Sequence, residues 1–448
     1  MKAAFHTLGC KVNQYETEAL CRQFRQQGYE IVEETEFADV YVINTCTVTG
    51  LADRKSRQYI RRMKKVNPES IVAVTGCYVQ MKPEEVADIE GVNLTVGINE
   101  KHRLIEYIEK FLKERKAQTQ VLAYEELNDY EEMGPVTAVE DRTRAYIKVQ
   151  EGCNRFCSYC VIPFARGNVR SRPVSHILEE AELLLAKGYK ELVLTGINTA
   201  LYGAEAGFFR EEGAPDGIEQ VIERLDRLPG EFRIRLSSLE PAVVNAEYVK
   251  RLLSYEKLCH HLHLSAQSGS DRILKAMNRP YGRQEYLDIV KALRDYEPEY
   301  GITTDLIAGF PGETEEDFQD SLRLIEEVGF GRVHAFKYSR RPNTKAAAME
   351  GQIPEPVKKA RSQMLMEAGE QACQRFLEQN RGKVRKVLLE EYKEEEHALT
   401  GYTDNYIRVY LPAEEGQDSE LDGLINNFRD VRLTEPFLDG MKGEFLVY

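Results

Sequence analysis

The sequence predicts an α/β chain in three parts: an open parallel α/β domain, a partial (β/α)6 barrel and a small C-terminal β-barrel. Three observations carry this. Strand-like apolar runs alternate with helical patterns over roughly the first hundred residues, six more strand and helix units follow Arg144, and strands without helices close the chain. At 448 residues the chain is longer than a single core usually serves.

In the first part, KAAFHTLG, ADVYVINT and SIVAVTG read as strands, NQYETEALCRQFRQQG as a helix, and Leu51 to Lys65 as a basic helix. Residues 109–141 are rich in Glu, Lys and Gln, lose the strand pattern and carry Gly134-Pro135, so they read as a helix and a linker. The six barrel strands are AYIKVQ, ELVLTG, RIRLSS, HHLHLSA, GITTDLIAG and RVHAFKY, separated by helical stretches such as Ser175 to Lys187 and Glu315 to Val328. After a helix near Lys358 to Asn380, the runs KVRKVLLEE, ALTGYTDNYIRVYLP, DGLINNFRDVRLTEP and GEFLVY suit a small barrel. The boundaries that follow are 1–108, 109–141, 142–372 and 373–448.

Apolar residues form 42% of the chain but in short runs, with none near the ~20 a membrane helix requires. The start, MKAAFHTLGCK, lacks the apolar core of a signal peptide, so a cytoplasmic protein with no membrane partner is expected. A net charge of −14 argues against wholesale electrostatic binding of nucleic acid, which would have to use local basic patches. Nine unevenly spaced cysteines do not make a disulfide scaffold, so metal binding or burial must explain them.

The sharpest signal is Gly152-Cys153-Asn154-Arg155-Phe156-Cys157-Ser158-Tyr159-Cys160, a CxxxCxxC loop directly after the first barrel strand. Thiolates this close can converge on one cluster. A fully ligated four-iron cluster uses four cysteines, and with no fourth nearby one iron is left open for a small molecule. A zinc site or buried thiols are the alternatives. The loop stands at the C-terminal end of a strand, where barrel active sites are built. Tyr159 is placed to pack on a cofactor. Thr195, Gly196 and Asn198 at the second strand, Glu240 after the third, and Ser265 and Gln267 at the fourth lie at the same mouth. Each is a cofactor contact or a turn residue; for Gly196, close backbone approach to the cofactor is expected.

A second set is Cys10 in LGCKVNQYE, Cys46 in INTCTVT and Cys77 in TGCYVQ, each at the carboxyl end of a strand candidate. In an open parallel sheet those ends share one edge, so the three thiols can meet. Three ordinary buried cysteines are the alternative. Cys21, Cys259 and Cys373 fall within elements and are assigned to packing.

The CxxxCxxC loop resembles that of the radical S-adenosylmethionine (SAM) superfamily. That resemblance implies a cluster whose open iron binds the amino and carboxylate groups of SAM, and reductive cleavage to a 5′-deoxyadenosyl radical. Taken together, TLGCKVNQYET, NTCTVT, EGCNRFCSYCVIPFARG, AQSGS and DLIAGFPGET resemble the methylthiotransferase family over nearly the whole chain. The resemblance implies an N-terminal cluster domain, a radical-SAM barrel and a C-terminal TRAM RNA-binding barrel. It also implies two [4Fe–4S] clusters, SAM as both methyl donor and radical source, an electron donor and a sulfur source. HTLGCKVNQYET and EGCNRFCSYC look most like the branch that methylthiolates C2 of N6-threonylcarbamoyladenosine at position 37 of tRNA. The family's other branches act on isopentenyladenosine in tRNA or on a ribosomal-protein aspartate. A non-enzymatic iron–sulfur RNA-binding protein is the remaining alternative. One departure is HLHLSAQSGS, where the family often has a proline in the strand.

For the RNA, RKSRQYIRRMKK holds seven Lys or Arg and no acid, so Arg54, Arg57 and Arg61 are candidate phosphate contacts, with a solvated helix face as the alternative. Arg166, Arg170 and Arg172 after the cysteine loop, and Arg340 and Arg341 after the sixth strand, are expected near the barrel mouth. From Phe376 to Tyr448, 9 basic residues face 16 acidic ones, so this part is no broad cationic platform. RGKVRK and the faces of Tyr402, Tyr406 and Tyr410 remain candidates there, with strand packing the alternative for the tyrosines. Asp305 is a candidate contact to substrate or cofactor, or a structural strand end.

Overall fold

The computed structural model describes residues 1–48, 50–136, 143–210, 212–412 and 423–446. Strands β1 (Lys2–Thr7), β2 (Glu30–Val32), β3 (Val40–Thr45), β4 (Ile71–Gly76), β5 (Leu94–Val96) and β6 (Gln118–Gln120) form one parallel sheet in the order β2-β1-β3-β4-β5-β6. β3 and β4 are buried along their whole length, as apolar runs between two helical layers must be. Val42 and Ala73 pack into a core on one face, Ile43 and Val74 into one on the other. β6 lies in the stretch expected to be helix and linker. Its sequence, Gln-Thr-Gln, has no apolar alternation because it is an edge strand whose side chains are at most half-buried. The helix there runs Leu104–Glu114 and crosses the expected boundary at 108.

The barrel strands are β7 (Arg144–Glu151), the two-residue antiparallel β8 (Arg170–Ser171), β9 (Glu191–Gly196), β10 (Arg233–Leu236), β11 (His261–His263), β12 (Gly301–Ala308) and β13 (Arg332–Lys337). They form two sheets, β10-β9-β7-β8 and β11-β12-β13. Parallel bridges Ile234–Leu258 and Leu239–Leu264 join these into one curved wall. Alternation sets its two faces: Ile147, Leu192, Ile234, Leu262 and Ile302 enter the core beneath the helices, and the residues between them face inward. The inward set is polar, including Glu191, Arg235, His263 and Asp305.

The C-terminal part is a closed barrel of β14 (Val384–Lys393), β15 (Ala398–Thr403), β16 (Arg408–Pro412), β17 (Phe428–Phe437) and β18 (Gly440–Phe445), in the order β14-β15-β16-β18-β17. The run ALTGYTDNYIRVYLP is a hairpin, not one strand, and its turn stoppers the bottom of the radical barrel. Arg233 donates to Tyr402 O at 3.1 Å and Arg235 to Thr403 O at 3.2 Å. Tyr406 stacks on Tyr402 and its centroid lies 4.6 Å from that of His261. Tyr402 and Tyr406 are therefore packing residues and offer no free faces for bases. In RGKVRK only Arg385, 12% exposed, is turned inward, onto Glu297; Lys383 and Lys386 reach Glu299 and Glu231 of the radical barrel but remain exposed, as does Arg381.

Candidate active site

The cysteine loop is bent by Gly152 at φ +72°, where a Cβ would stand 1.7 Å from Asn168 O. Cys153 N–H donates to Gly167 O at 3.0 Å, and Ser158 is held by Met277 O and Ala276 O. Cys157 is buried, while Cys153 and Cys160 are partly exposed toward the barrel mouth. Ile162 N–H points to Cys160 Sγ at 3.4 Å and Asn198 Nδ2 lies 4.0 Å from Cys153 Sγ. Burial pushes the Cys160 thiol up to about 12, and the charge of Cys157 and Cys153 adds to it.

Above this loop, Glu240 accepts from Arg155 Nε at 2.7 Å, Asn198 Nδ2 at 2.9 Å and Arg279 at 3.0 Å. Arg279 also donates to the Tyr159 hydroxyl at 2.9 Å. Ser265 donates to Asp305 at 3.1 Å, and Asp305 is 3.1 Å from His263 Nε2. Gln267, at φ +66°, bonds through its backbone to Asp305 O and Ile307 N, and Thr195 is buried on the inward face of β9. A Cβ at Gly196 would stand 3.0 Å from Gln150 Oε1, which accepts from Asn198 N–H at 2.8 Å.

The second triad stands on the carboxyl edge of the first sheet. Cys10 caps the helix Lys11–Gln26, Cys46 follows β3, and Cys77 opens the helix Cys77–Met81. Register places Thr45 beside Gly76, and a Cβ at Gly76, φ +99°, would lie 2.3 Å from Thr45 O. That close approach draws Cys46 and Cys77 together. Burial pushes the Cys77 thiol up to about 11, with Cys46 and Cys10 adding to the rise against Arg166. Among the described residues, no three His, Cys, Asp or Glu side chains close tightly enough to hold one metal ion. Yet in each triad one thiol's charge raises the pKa of its neighbours, a repulsion that a bound iron centre displacing their protons would relieve.

Several arginines have other duties than those expected. Arg166 is fully buried against Cys77, Glu16 and Glu151. Arg170, 2% exposed, donates to the carbonyls of Leu127, Arg166 and Asn168. Both are buried and so withdrawn from RNA contact, although all three bonds of Arg170 come from Nη1 and its Nε and Nη2 have no partner among the described residues. Arg172 pairs with Glu180 and Glu132, and Arg341 with Asp53 across the domain boundary. Arg340 remains exposed. On the helix Gly50–Val66, Arg54 and Arg61 are exposed and line a shallow hollow with Arg62 and Lys65, while Arg57 also bonds Tyr78 and Glu85. Arg155, Arg279, Gln150, Asn13 and Glu16 were not foreseen. Their roles depend on partners 39 to 153 positions away, and no local spacing signals them.

Comparison with known proteins agrees with this arrangement. Residues 2–97 match the family described as "Uncharacterized protein family UPF0004" and residues 147–325 the Radical SAM superfamily. The chain is 41% identical to the threonylcarbamoyladenosine tRNA methylthiotransferase MtaB of Bacillus subtilis, over 98% of this chain and 95% of that protein. It is 36% identical to a tRNA-2-methylthio-N(6)-dimethylallyladenosine synthase of Clostridium perfringens, over 96% and 95%. In fold it is similar to the radical SAM methyltransferase TsrM of Kitasatospora setae, solved with cobalamin and a [4Fe–4S] cluster, with TM-score 0.55, 14% identity and coverage of 77% and 73%. Full-length identity at this level, on a chain whose cysteine loop opens at the mouth of a half-open parallel barrel, places it among the radical SAM tRNA methylthiotransferases.

Proposed function

We propose that this enzyme methylthiolates C2 of N6-threonylcarbamoyladenosine at position 37 of tRNA. In this reading Cys153, Cys157 and Cys160 hold the [4Fe–4S] cluster that binds SAM, and Cys10, Cys46 and Cys77 hold a second cluster. The observation that carries it is the short helix Ile162–Arg166, which begins beside Cys160 and ends on Cys77, a direct link between the two triads that supports their acting on one substrate. The bound cluster and SAM supply a radical able to take hydrogen from an unactivated carbon. The chain's own groups do the holding. Glu240, fixed by Arg155, Asn198 and Arg279, presents a carboxylate to the amino end of SAM, and Tyr159 is tied to the same network through Arg279.

The RNA partner is supported by the exposed cations Arg54, Arg61, Arg62 and Lys65, one stripe that begins beside Asp53 and Arg341 near Cys46. At about 1.5 Å rise per residue it runs some 16 Å, long enough to follow a few phosphates of a stem. Arg340 extends it toward the barrel mouth. The C-terminal barrel's basic run is partly engaged, with Arg385, Lys383 and Lys386 each beside an acid of the radical barrel, so the stripe carries more of the electrostatic work. An electron donor and a sulfur source complete the partners, and the enzyme works where tRNA is, in the cytoplasm.

The threonylcarbamoyl nucleoside is favoured over the dimethylallyl one by the higher identity to the relative named for it. Mass spectrometry of tRNA nucleosides from a deletion strain tests this. The expected result is N6-threonylcarbamoyladenosine lacking its methylthio group, restored by the gene. Loss confined to methylthio-dimethylallyladenosine, or to a ribosomal protein, would overturn the choice of substrate.

A further inference from the structure

Arg166 belongs to the radical barrel but serves the other triad. It ends a five-residue helix, which spans about 7 Å, and its Nε lies 3.0 Å from Cys77 Sγ. The rest of the guanidinium is fully committed. One terminal nitrogen donates to Glu16 Oε1 at 2.6 Å and Glu151 Oε1 at 3.0 Å; the other donates to Asn13 Oδ1 and, at 3.4 Å, to Glu16 Oε2. Asn13 is itself fixed by Leu8 O at 2.7 Å and Thr45 O at 2.9 Å. The fork has one orientation, and it aims at a sulfur.

The charges around it do not balance without that sulfur. Lys101 and Lys148 join Arg166 on the carboxylates of Glu16 and Glu151, and none of the five is more than 3% exposed. Three cations against two anions is a costly remainder in a desolvated interior. A Cys77 sulfur that carries negative charge as a metal ligand supplies the third anion.

We propose that Arg166 is a positioning residue for the N-terminal cluster: its hydrogen bond to the Cys77 sulfur stabilises the cluster's negative charge, raising its reduction potential, while its carboxylate anchors fix the two triads at constant separation. This rests on the reading that Cys10, Cys46 and Cys77 hold a cluster. A hydrogen bond to a ligating sulfur favours the more negative, reduced state, and such outer contacts are an established lever on potential.

The test uses the full chain with Cys153, Cys157 and Cys160 replaced by alanine, reconstituted anaerobically so that only the N-terminal cluster is present. Redox titration followed by electron paramagnetic resonance is compared with and without Arg166→Gln. The expected result is about four irons per chain in both and a lower potential in the variant, with Arg166→Lys returning part of the shift. A purely structural arginine would alter stability and leave the potential in place, so an unchanged potential at full iron content overturns the inference. Should Arg166→Gln not fold, Arg166→Lys, which keeps the charge but loses the fork, is compared directly with the parent and judged by the same criterion. A parent chain that binds no iron instead removes the cluster reading beneath it.

Discussion

Glu240 is 4% exposed and accepts from three side chains that reach it from three different segments of the barrel mouth. No one of these segments fixes the carboxylate; Arg155, Asn198 and Arg279 do so together. Glu240→Gln keeps the shape but removes the charge that two guanidiniums face. Hydrogen bonds to charged groups contribute about 1.5–3 kcal/mol each, so a cofactor held through this carboxylate should bind about 10- to 100-fold more weakly. Equilibrium dialysis of SAM against reconstituted protein measures this. Unchanged affinity would show that Glu240 organises arginines without serving the cofactor. The position was marked in the sequence by its place after the third strand; its arginine partners were not, because Arg155 and Arg279 are 124 positions apart and meet only on this carboxylate.

At the scale of elements, β14 and the hairpin β15–β16 attach the C-terminal barrel through an ionic seam. His260 lies 2.5 Å from Glu297 and 3.5 Å from Asp404, and Arg385 reaches Glu297 at 2.5 Å. The hydrogen bond to Glu297 raises the His260 pKa above the ordinary 6.5 despite burial. Burial alone would lift Glu297, but His260 and Arg385 outweigh it and hold it below the usual 4.5. A raised histidine contributes stability that is fully present below 6.5 and lost as pH rises through its folded value. A depressed carboxylate contributes above 4.5 and loses it as pH falls. The seam is therefore firmest between about pH 4.5 and 6.5 and loosens on the alkaline side. Limited proteolysis between the domains, followed from pH 6 to 9, should speed up in the native chain and lose most of that dependence in His260→Gln. Identical profiles would place the pH sensitivity elsewhere.

For the whole molecule, two cysteine triads on separate domains predict separable functions. Reconstituted protein should hold about eight irons per chain, twice the content of one four-iron cluster. Replacing Cys153, Cys157 and Cys160 with alanine should halve the iron and abolish 5′-deoxyadenosine formation. Replacing Cys10, Cys46 and Cys77 should also halve the iron, spare 5′-deoxyadenosine and stop methylthiolation of tRNA. A soluble variant of the second kind that still modifies tRNA at the normal rate would return those three cysteines to packing.

What the sequence determined by itself was whatever is written locally. Strand and helix periodicity gave the three-part α/β architecture, and the spacing of Cys153, Cys157 and Cys160 gave one thiol loop. Cys10, Cys46 and Cys77 were readable as a group because parallel strands bring their carboxyl ends to one edge. The uses of the long cations were decided only in tertiary structure. Arg54 and Arg166 look alike as basic residues near a predicted site, yet one is exposed on a helix face and the other is fully buried against Cys77. The same holds within RGKVRK, where Arg385 is 12% exposed against Glu297 while Lys383 and Lys386 stay more than half exposed. Burying a charge is unfavourable unless a partner of opposite sign awaits it, and where that partner stands depends on how the domains dock.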